Sequence, residues 1–219
     1  MIPQIILEDL ETEKRICSFE DWGLVLGNKE ISIPQAKTNY IDIAGADGSL
    51  DLTEATGEIK YNDRTARFPF TLKDSFMDLP SKISEIANDI HGRKFKIFVY
   101  DDLDFYYVGR VSINEFKTSK AKGAITLEAT LEPYKYKSNV TSYTYEINGS
   151  QTIYGSNLRK RVVPTITVDS EMEIVFKGNK YVVSEGSYEI LNIYFDKGNY
   201  EMTVTGNGTF KITYQEASI

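Results

Sequence analysis

The sequence predicts a mostly β protein with one helix, divided into two compact domains. Three observations carry that expectation. Apolar and polar residues alternate with period two through most of the chain, the mark of half-buried strands. A single segment carries the 3.6-residue period of an amphipathic helix instead. The 219 residues are more chain than one small core needs, and a proline with a polar stretch is placed to divide them.

The predicted helix is Leu79–His91. Ile83, Ile86, Ala87 and Ile90 stand at i, i+3, i+4 and i+7 and form one apolar stripe. Asp78 or Ser81 can cap its start, Pro80 fits only a first turn, and Gly92 is placed to end it. Phe95, Ile97 and Val99 then alternate with Lys94, Lys96 and Phe98. The polar turn Asp101-Asp102-Leu103-Asp104 follows, and Phe105 to Ile113 resumes the β-branched and aromatic run. Phe95–Ile113 therefore reads as a hairpin with its carboxylates in water at the tip, and the helix stripe is expected to pack on it. Ile125, Leu127, Ala129 and Leu131 alternate with Thr126, Glu128, Thr130 and Glu132 as a further strand.

Pro133 is expected to stop that strand's ladder, and the polar stretch around it divides the chain into domains 1–137 and 138–219. Beyond the boundary, strands are expected at Thr165–Asp169, Glu171–Lys177, Tyr188–Phe195, Tyr200–Thr205 and Thr209–Tyr214. They are separated by Lys177-Gly178-Asn179, Lys197-Gly198-Asn199 and Gly206-Asn207-Gly208, the last reading as a hairpin turn. Short strands with turns every eight to twelve residues suit a β-sandwich.

Composition narrows the function. The net charge is −7, from 32 acidic and 25 basic residues, so the chain is a poor candidate for holding phosphate backbones. Residues 1–137 carry 23 acidic and 18 basic groups, and the remainder carries 9 and 7, so neither half is basic. One cysteine, Cys17, allows no intrachain disulfide and no cysteine-based zinc site. No run of apolar residues is long enough to span a bilayer. The start, Met1-Ile2-Pro3-Gln4, lacks the basic residues and longer apolar core of a secretory signal, so a soluble chain made in a cytoplasm is expected. On that expectation the Asn-x-Ser/Thr triplets at 139, 148 and 207 are chance.

Catalysis finds little to stand on. The single histidine, His91, shows no Ser–His–Asp or Cys–His context and sits where a helix dipole favours it. Cys17 reads as a small hydrophobe. Two carboxylates can hydrolyse a glycosidic bond without histidine, and Asp101, Asp102 and Asp104, or Asp47 and Asp51, are the candidates. The first group lies at an exposed tip and not in the buried setting that a general acid needs. The second lies among the turn glycines Gly45 and Gly48 and lacks calcium-loop spacing. Gly206-Asn207-Gly208 opens no helix, so it is not a phosphate loop. Arg159-Lys160-Arg161 reads as a solvated strand start that discourages edge pairing. Fifteen Tyr, eleven Phe and one Trp remain to be explained. Phe105-Tyr106-Tyr107 and Tyr134-Lys135-Tyr136 put aromatics on both faces of extended chain, as anchors of protein contacts, as sugar-stacking platforms, or under a second layer of the same chain. The residues by themselves support a non-enzymatic, β-rich assembly or binding protein without cofactors.

The order of several segments resembles phage distal tail proteins. They are Ser18–Leu24, with its Asp21-Trp22-Gly23; Ile41–Leu52; Ala87–Lys94, running into the acidic hairpin and Tyr106-Tyr107-Val108-Gly109-Arg110-Val111; and Val204–Tyr214, similar to the last hairpin of that family's C-terminal sandwich. The resemblance spans essentially the whole chain and looks like the family's short form, without an inserted sugar-binding module. It implies a structural protein of a long-tailed phage or prophage infecting a Gram-positive host. It implies an N-terminal β-sandwich-like ring domain with a helix and hairpin, followed by a galectin-like sandwich. The implied assembly is a homo-hexamer, in one ring or two, at the far end of the tail. Its implied partners are the tail tube protein, the tail-associated hub protein and receptor-binding proteins, with DNA only passing through the lumen and no membrane insertion. The implied location is the virion tail tip, after synthesis in the host cytoplasm.

Within that frame the hairpin residues Phe98, Tyr100, Asp101, Asp102, Asp104, Tyr106 and Tyr107 are the expected intersubunit or tube contact. Two other functions stay open at this point. One is a carbohydrate-binding module acting through residues 138–219, which would depend on an exposed tyrosine or on Trp22. The other is a small glycosidase, which would depend on one of the carboxylate pairs.

Overall fold

A computed structural model describes residues 2–55, 57–72, 79–118 and 123–219. The chain divides into two compact units, Met1–Lys135 with Ile219, and Tyr136–Ser218.

The first unit contains β1 (Ile5–Asp9), β2 (Arg15–Cys17), β3 (Leu24–Leu26), β4 (Glu30–Ile31), β5 (Tyr40–Asp42), β6 (Ser49–Asp51), β7 (Arg64–Leu72), α1 (Leu79–Ile90), β8 (Lys94–Val99), β9 (Phe105–Thr118) and β10 (Gly123–Lys137). Its main sheet runs β2-β1-β8-β9-β10-β7-β3, with β4 also on β7. Alternation decides which side of this sheet is buried. Ile5 and Leu7 lie opposite Val99 and Ile97, and Ile125, Leu127 and Ala129 lie opposite Phe70, Phe68 and Ala66. All of these are buried in one core, which Trp22, Ile86 and Ile90 complete.

The period-3.6 stripe behaves as expected: Ile86 and Ile90 are buried, and α1 packs on β9. Asp78 lies outside the described residues, and Ser81 falls inside the helix and does not cap it. Pro133 does not end its strand, because β10 runs on to Lys137. The ladder with β7 stops at Leu131–Arg64, so the missing proline N–H costs no bond on that side. Gly109 is required by close approach: a Cβ there would stand 2.4 Å from the Thr130 carbonyl oxygen and 2.6 Å from Leu131 Cδ2.

The second unit contains β11 (Thr141–Asn157), β12 (Thr165–Val168), β13 (Met172–Phe176), β14 (Asn179–Val183), β15 (Gly186–Glu189), β16 (Gly198–Tyr214) and β17 (Ala217–Ser218). The stretch Gly206-Asn207-Gly208 is not a hairpin turn. It is a corner inside β16, which pairs with β11 along all 17 residues. Before the corner β16 also pairs with β13, and after it with β12. The long β11–β16 ribbon is thereby shared between two layers, β14-β13-β16-β11 and β15-β12-β16-β11. Their inner residues form one core around Ile174, Val204, Phe210 and Ile212.

The corner has a local cause. Gly208 has φ +136°, and a Cβ there would meet Asp169 Oδ1 at 2.2 Å. The Thr209 N–H donates to that same oxygen at 2.8 Å, and the Gly149 N–H across the ribbon donates to Asn207 Oδ1 at 3.3 Å. Lys177 and Gly178, both at positive φ, form the tight turn between β13 and β14, so Asn179 begins a strand instead of ending a turn. The expected strand Tyr188–Phe195 is only β15 plus an isolated bridge from Phe195 to Val162. Arg159-Lys160-Arg161 lies in the loop after β11, not at a strand start. Arg161 pairs there with Asp196 at 2.7 Å and covers the Tyr194 ring.

Aromatics fill one end of this core. Phe195 stacks on Tyr200 at 3.6 Å, and Tyr214 meets both edge-on. Burial pushes the Tyr214 hydroxyl up to about 12, and it donates to the Ser156 carbonyl at 2.6 Å.

Two substitutions test this packing. Gly109→Ala should lower unfolding free energy by roughly 1–3 kcal/mol through overpacking against backbone. Ile86→Ala should lower it by roughly 2–5 kcal/mol through the cavity it leaves. Denaturant titration measures both, and a loss near zero at either site contradicts the packing described.

Candidate functional site

The hairpin β8–β9 pairs Lys94 with Arg110, Phe95 with Gly109 and Ile97 with Tyr107. That register sends Tyr107 to the core side with Ile97, and Tyr106 to the opposite face with Phe98 and Lys96. Phe98 and Tyr106 meet with ring centroids 5.4 Å apart. Arg15 covers the Phe98 ring and Lys96 covers Tyr106, each at 5.5 Å. On the core side, the buried Arg64 lies 4.7 Å over Tyr107. Cations therefore sheathe the hairpin's aromatics within the same unit.

The tip is held in the same way. Asp101 pairs with Lys29, whose ammonium lies 5.3 Å over the Tyr100 ring. Asp102 pairs with Lys135 at 2.6 Å, and Lys135 lies 4.4 Å over Phe105. Asp101 and Asp104 are exposed, while Asp102 is half-buried. Two of the three tip carboxylates are thus committed to lysines, and the tip is not the simple solvated cluster the sequence suggests.

Beside Phe98 and Tyr106, Glu8 is buried and accepts from Arg15 Nε at 2.6 Å and Lys96 Nζ at 2.7 Å. Burial works against its ionisation, but the hydrogen bonds and charges of Lys96 and Arg15 outweigh that and hold the carboxyl below its ordinary value. Asp9 is held low chiefly by the backbone N–H groups of Thr12 and Glu11, and it also pairs with Arg93.

The remaining sequence candidates take structural places. His91 Nδ1 accepts the Ile113 N–H at 3.1 Å, tying the end of α1 to β9. Burial, with Glu20 and Asp21 nearby, pushes the Cys17 thiol up, away from reactive thiolate. Trp22 is 2% exposed and belongs to the first unit's core, so it offers no platform for sugar stacking. Among the described residues no group of three His, Cys, Asp or Glu could hold a metal ion, and no helix is long and apolar enough to cross a membrane.

A feature that sequence reading missed lies at Tyr40–Asp51. Among the described residues β5 and β6 pair only with each other, Ile41 opposite Leu50, and form an arm whose residues 37–51 are all exposed. Ile41 and Leu50 share one face as a directly opposed pair, Ile43 follows β5 where its turn begins, and the three are 46%, 48% and 50% exposed. The arm's root is tied by the Ala36–Tyr61 bridge and by the Leu52 N–H donating to the Asn39 carbonyl at 2.8 Å. Asp47 stands at its tip and Asp51 accepts the Thr53 N–H, so the two do not form a catalytic pair. The signal was present in the alternation Ile41-Asp42-Ile43 and Leu50-Asp51-Leu52 around Gly45 and Gly48.

A helix-bearing unit followed by a sandwich on a bent ribbon has a full-length counterpart among solved structures. Over 100% of both chains the fold matches the SPP1 Dit (gp 19.1) protein, described as a paradigm of the hub adsorption apparatus in phages infecting Gram-positive bacteria. The TM-score is 0.68 and the sequence identity 15%, so the likeness is one of fold. No family model and no curated protein matches the chain by sequence. The mostly β class, with one helix among the described residues, and the likeness to distal tail proteins both agree with what the sequence suggests.

The Glu8 cluster makes a pH prediction. A carboxyl held low in the fold adds stability above its unfolded value near 4.5, and that stability is lost as pH falls through the folded value. Glu8→Gln should cost roughly 1–3 kcal/mol at pH 7 and flatten the fall in melting temperature below pH 4.5. Melting curves from pH 7 to pH 3 check it, and an unchanged slope rejects the role given to Glu8.

Proposed function

We propose that this chain is a structural protein of a phage tail tip. In this reading it forms a hexameric ring at the tail's distal end and joins the tail tube to the hub and receptor-binding apparatus. The observation that carries the reading is the uncovered apolar face of the β5–β6 arm. A two-stranded ribbon is marginal alone in water, and three exposed large aliphatics gathered on one arm need a partner surface. A closed ring supplies it, since each subunit can offer one patch and receive a different one from its neighbour. The fold likeness to a tail hub protein gives the arm its context.

The hairpin residues Phe98, Tyr100, Asp101, Asp102, Asp104 and Tyr106 are the second proposed contact, towards a neighbouring subunit or the tube, while Tyr107, which faces the core under Arg64, is left out of it. Their pre-formed ion pairs and cation–aromatic contacts fix the surface before assembly, which lowers the entropy cost of docking. The acidic charge suits a conduit: six copies of a chain at −7 carry about −42, which keeps passing DNA from adhering. We place acidic loops of the first unit at the lumen. The role is non-catalytic, consistent with tip carboxylates engaged by lysines and a histidine engaged by backbone. The chain would reside at the virion's tail tip after synthesis in the host cytoplasm.

Light scattering on the full chain should give about 149 kDa, six copies of 24.9 kDa, or twice that. Ile41→Ser/Ile43→Ser/Leu50→Ser should leave the melting temperature nearly unchanged, because the three sites are exposed, yet reduce the mass from that of the ring to that of one chain or two. A triple variant that still assembles would remove the arm from the interface. A wild-type monomer at high concentration would remove self-assembly from the reading.

A further inference from the structure

The second unit has one strand edge that nothing guards. β14 is short and carries Lys180, which is paired with Glu173, and β15 has four residues ending in Glu189. β11 is 17 residues long, pairs only with β16 among the described residues, and contains no proline, no lysine and one charge, Glu146. Among the described residues, no backbone hydrogen bond joins Ser142–Asn148 to anything beyond β16. Long uncharged edges of this kind pair with further strands, and proteins normally block them with charge or proline.

The half before the corner is also open on its inner side. Tyr143 and Tyr145 lie opposite Ile212 and Phe210 and so point towards the core face. Ile212 and Phe210 are fully buried, but Tyr143 is 40% exposed and its ring meets Tyr145 at 6.4 Å. The layer ends one strand too early to cover it.

We propose that the Thr141–Asn148 edge pairs antiparallel with the same edge of a second copy of this chain, across a two-fold axis. Charge selects this occupant. A chain at −7 meets its own copy at least cost through a nearly neutral strand, whereas a foreign partner steered by charge would find one carboxylate to read. Self-pairing also needs no complementary edge elsewhere in the unit, where β14 and β15 are short and charged. A register centred on Thr144 keeps inner faces together. It sets Tyr143 opposite Tyr145 of the second copy, Ser142 opposite its Glu146, and no like charges opposite one another. The added strand covers Tyr143. The contact is independent of the ring: with rings present it joins two of them, and without rings it makes a dimer.

A symmetric cysteine tests the register. In full-length Cys17→Ser/Thr144→Cys, the two introduced thiols face each other across directly opposed positions about 4.5–5.5 Å apart at Cα, within disulfide reach. Mild oxidation should link the chains in pairs at least ~10-fold faster than in Cys17→Ser/Thr152→Cys, where the cysteine is equally exposed but lies after the corner. In a third variant, Thr144→Lys, any two-fold step in mass with concentration should disappear while the smaller particle persists. Equal linking at 144 and 152, or a doubled mass that survives Thr144→Lys, overturns the proposal. Loss of the arm's aliphatics changes the ring and leaves linking at 144 intact, so failure of one reading is separable from failure of the other.

Discussion

Strand edges must end on something, and that constraint shapes every part of this molecule. Among the described residues there is one short helix, which leaves little to cover the sheets, so backbone donors and acceptors have to be met by further strands or by water. In the second unit β16 meets the constraint fully: β11 lies along one side, and β13 and then β12 along the other. The bent ribbon lets one pair of strands serve two layers, and a small core of Ile, Val and Phe can be closed with few strands. In the first unit the same constraint is met by a seven-strand path whose ends, β2 and β3, have three residues each.

Where strands do not cover aromatic faces, cations do. Arg15 and Lys96 on Phe98 and Tyr106, Lys29 on Tyr100, and Lys135 on Phe105 each also neutralise a carboxylate of the same unit. The tyrosine-rich composition therefore does not leave naked hydrophobic patches along the hairpin. It leaves an amphipathic surface set in place by short charged contacts, while four exposed large hydrophobics, Tyr40, Ile41, Ile43 and Leu50, gather on the β5–β6 arm. Protein interfaces have this division, with aliphatic and aromatic anchors beside a pre-organised polar surround.

Periodicity made most of the first unit legible in the sequence. The Ile83–Ile90 stripe, the alternation of Phe95–Val99 and that of Ile125–Leu131 all face the side their spacing dictates. What failed were places where a turn signal met a tertiary demand. Gly206-Asn207-Gly208 has the composition of a turn, yet long-range pairing of β11 with β16 holds it as a corner in one continuous strand. Asn148-Gly149-Ser150 hid the 17-residue β11 for the same reason. Pro133 sits inside a strand because the neighbouring ladder has already stopped at Leu131. The candidate site was half legible. The hairpin and its acidic tip follow from local pattern, but the lysines that tether the tip come from positions 29 and 135, a separation no local pattern carries. The arm's alternation was readable, whereas its exposure depends on what the rest of the unit leaves uncovered.

Averaged electron micrographs of the purified full-length protein test the central claim most directly. The account predicts six-fold particles with an open central channel wide enough for duplex DNA. Particles without a channel, or with a symmetry other than six-fold or its two-ring stack, would contradict it.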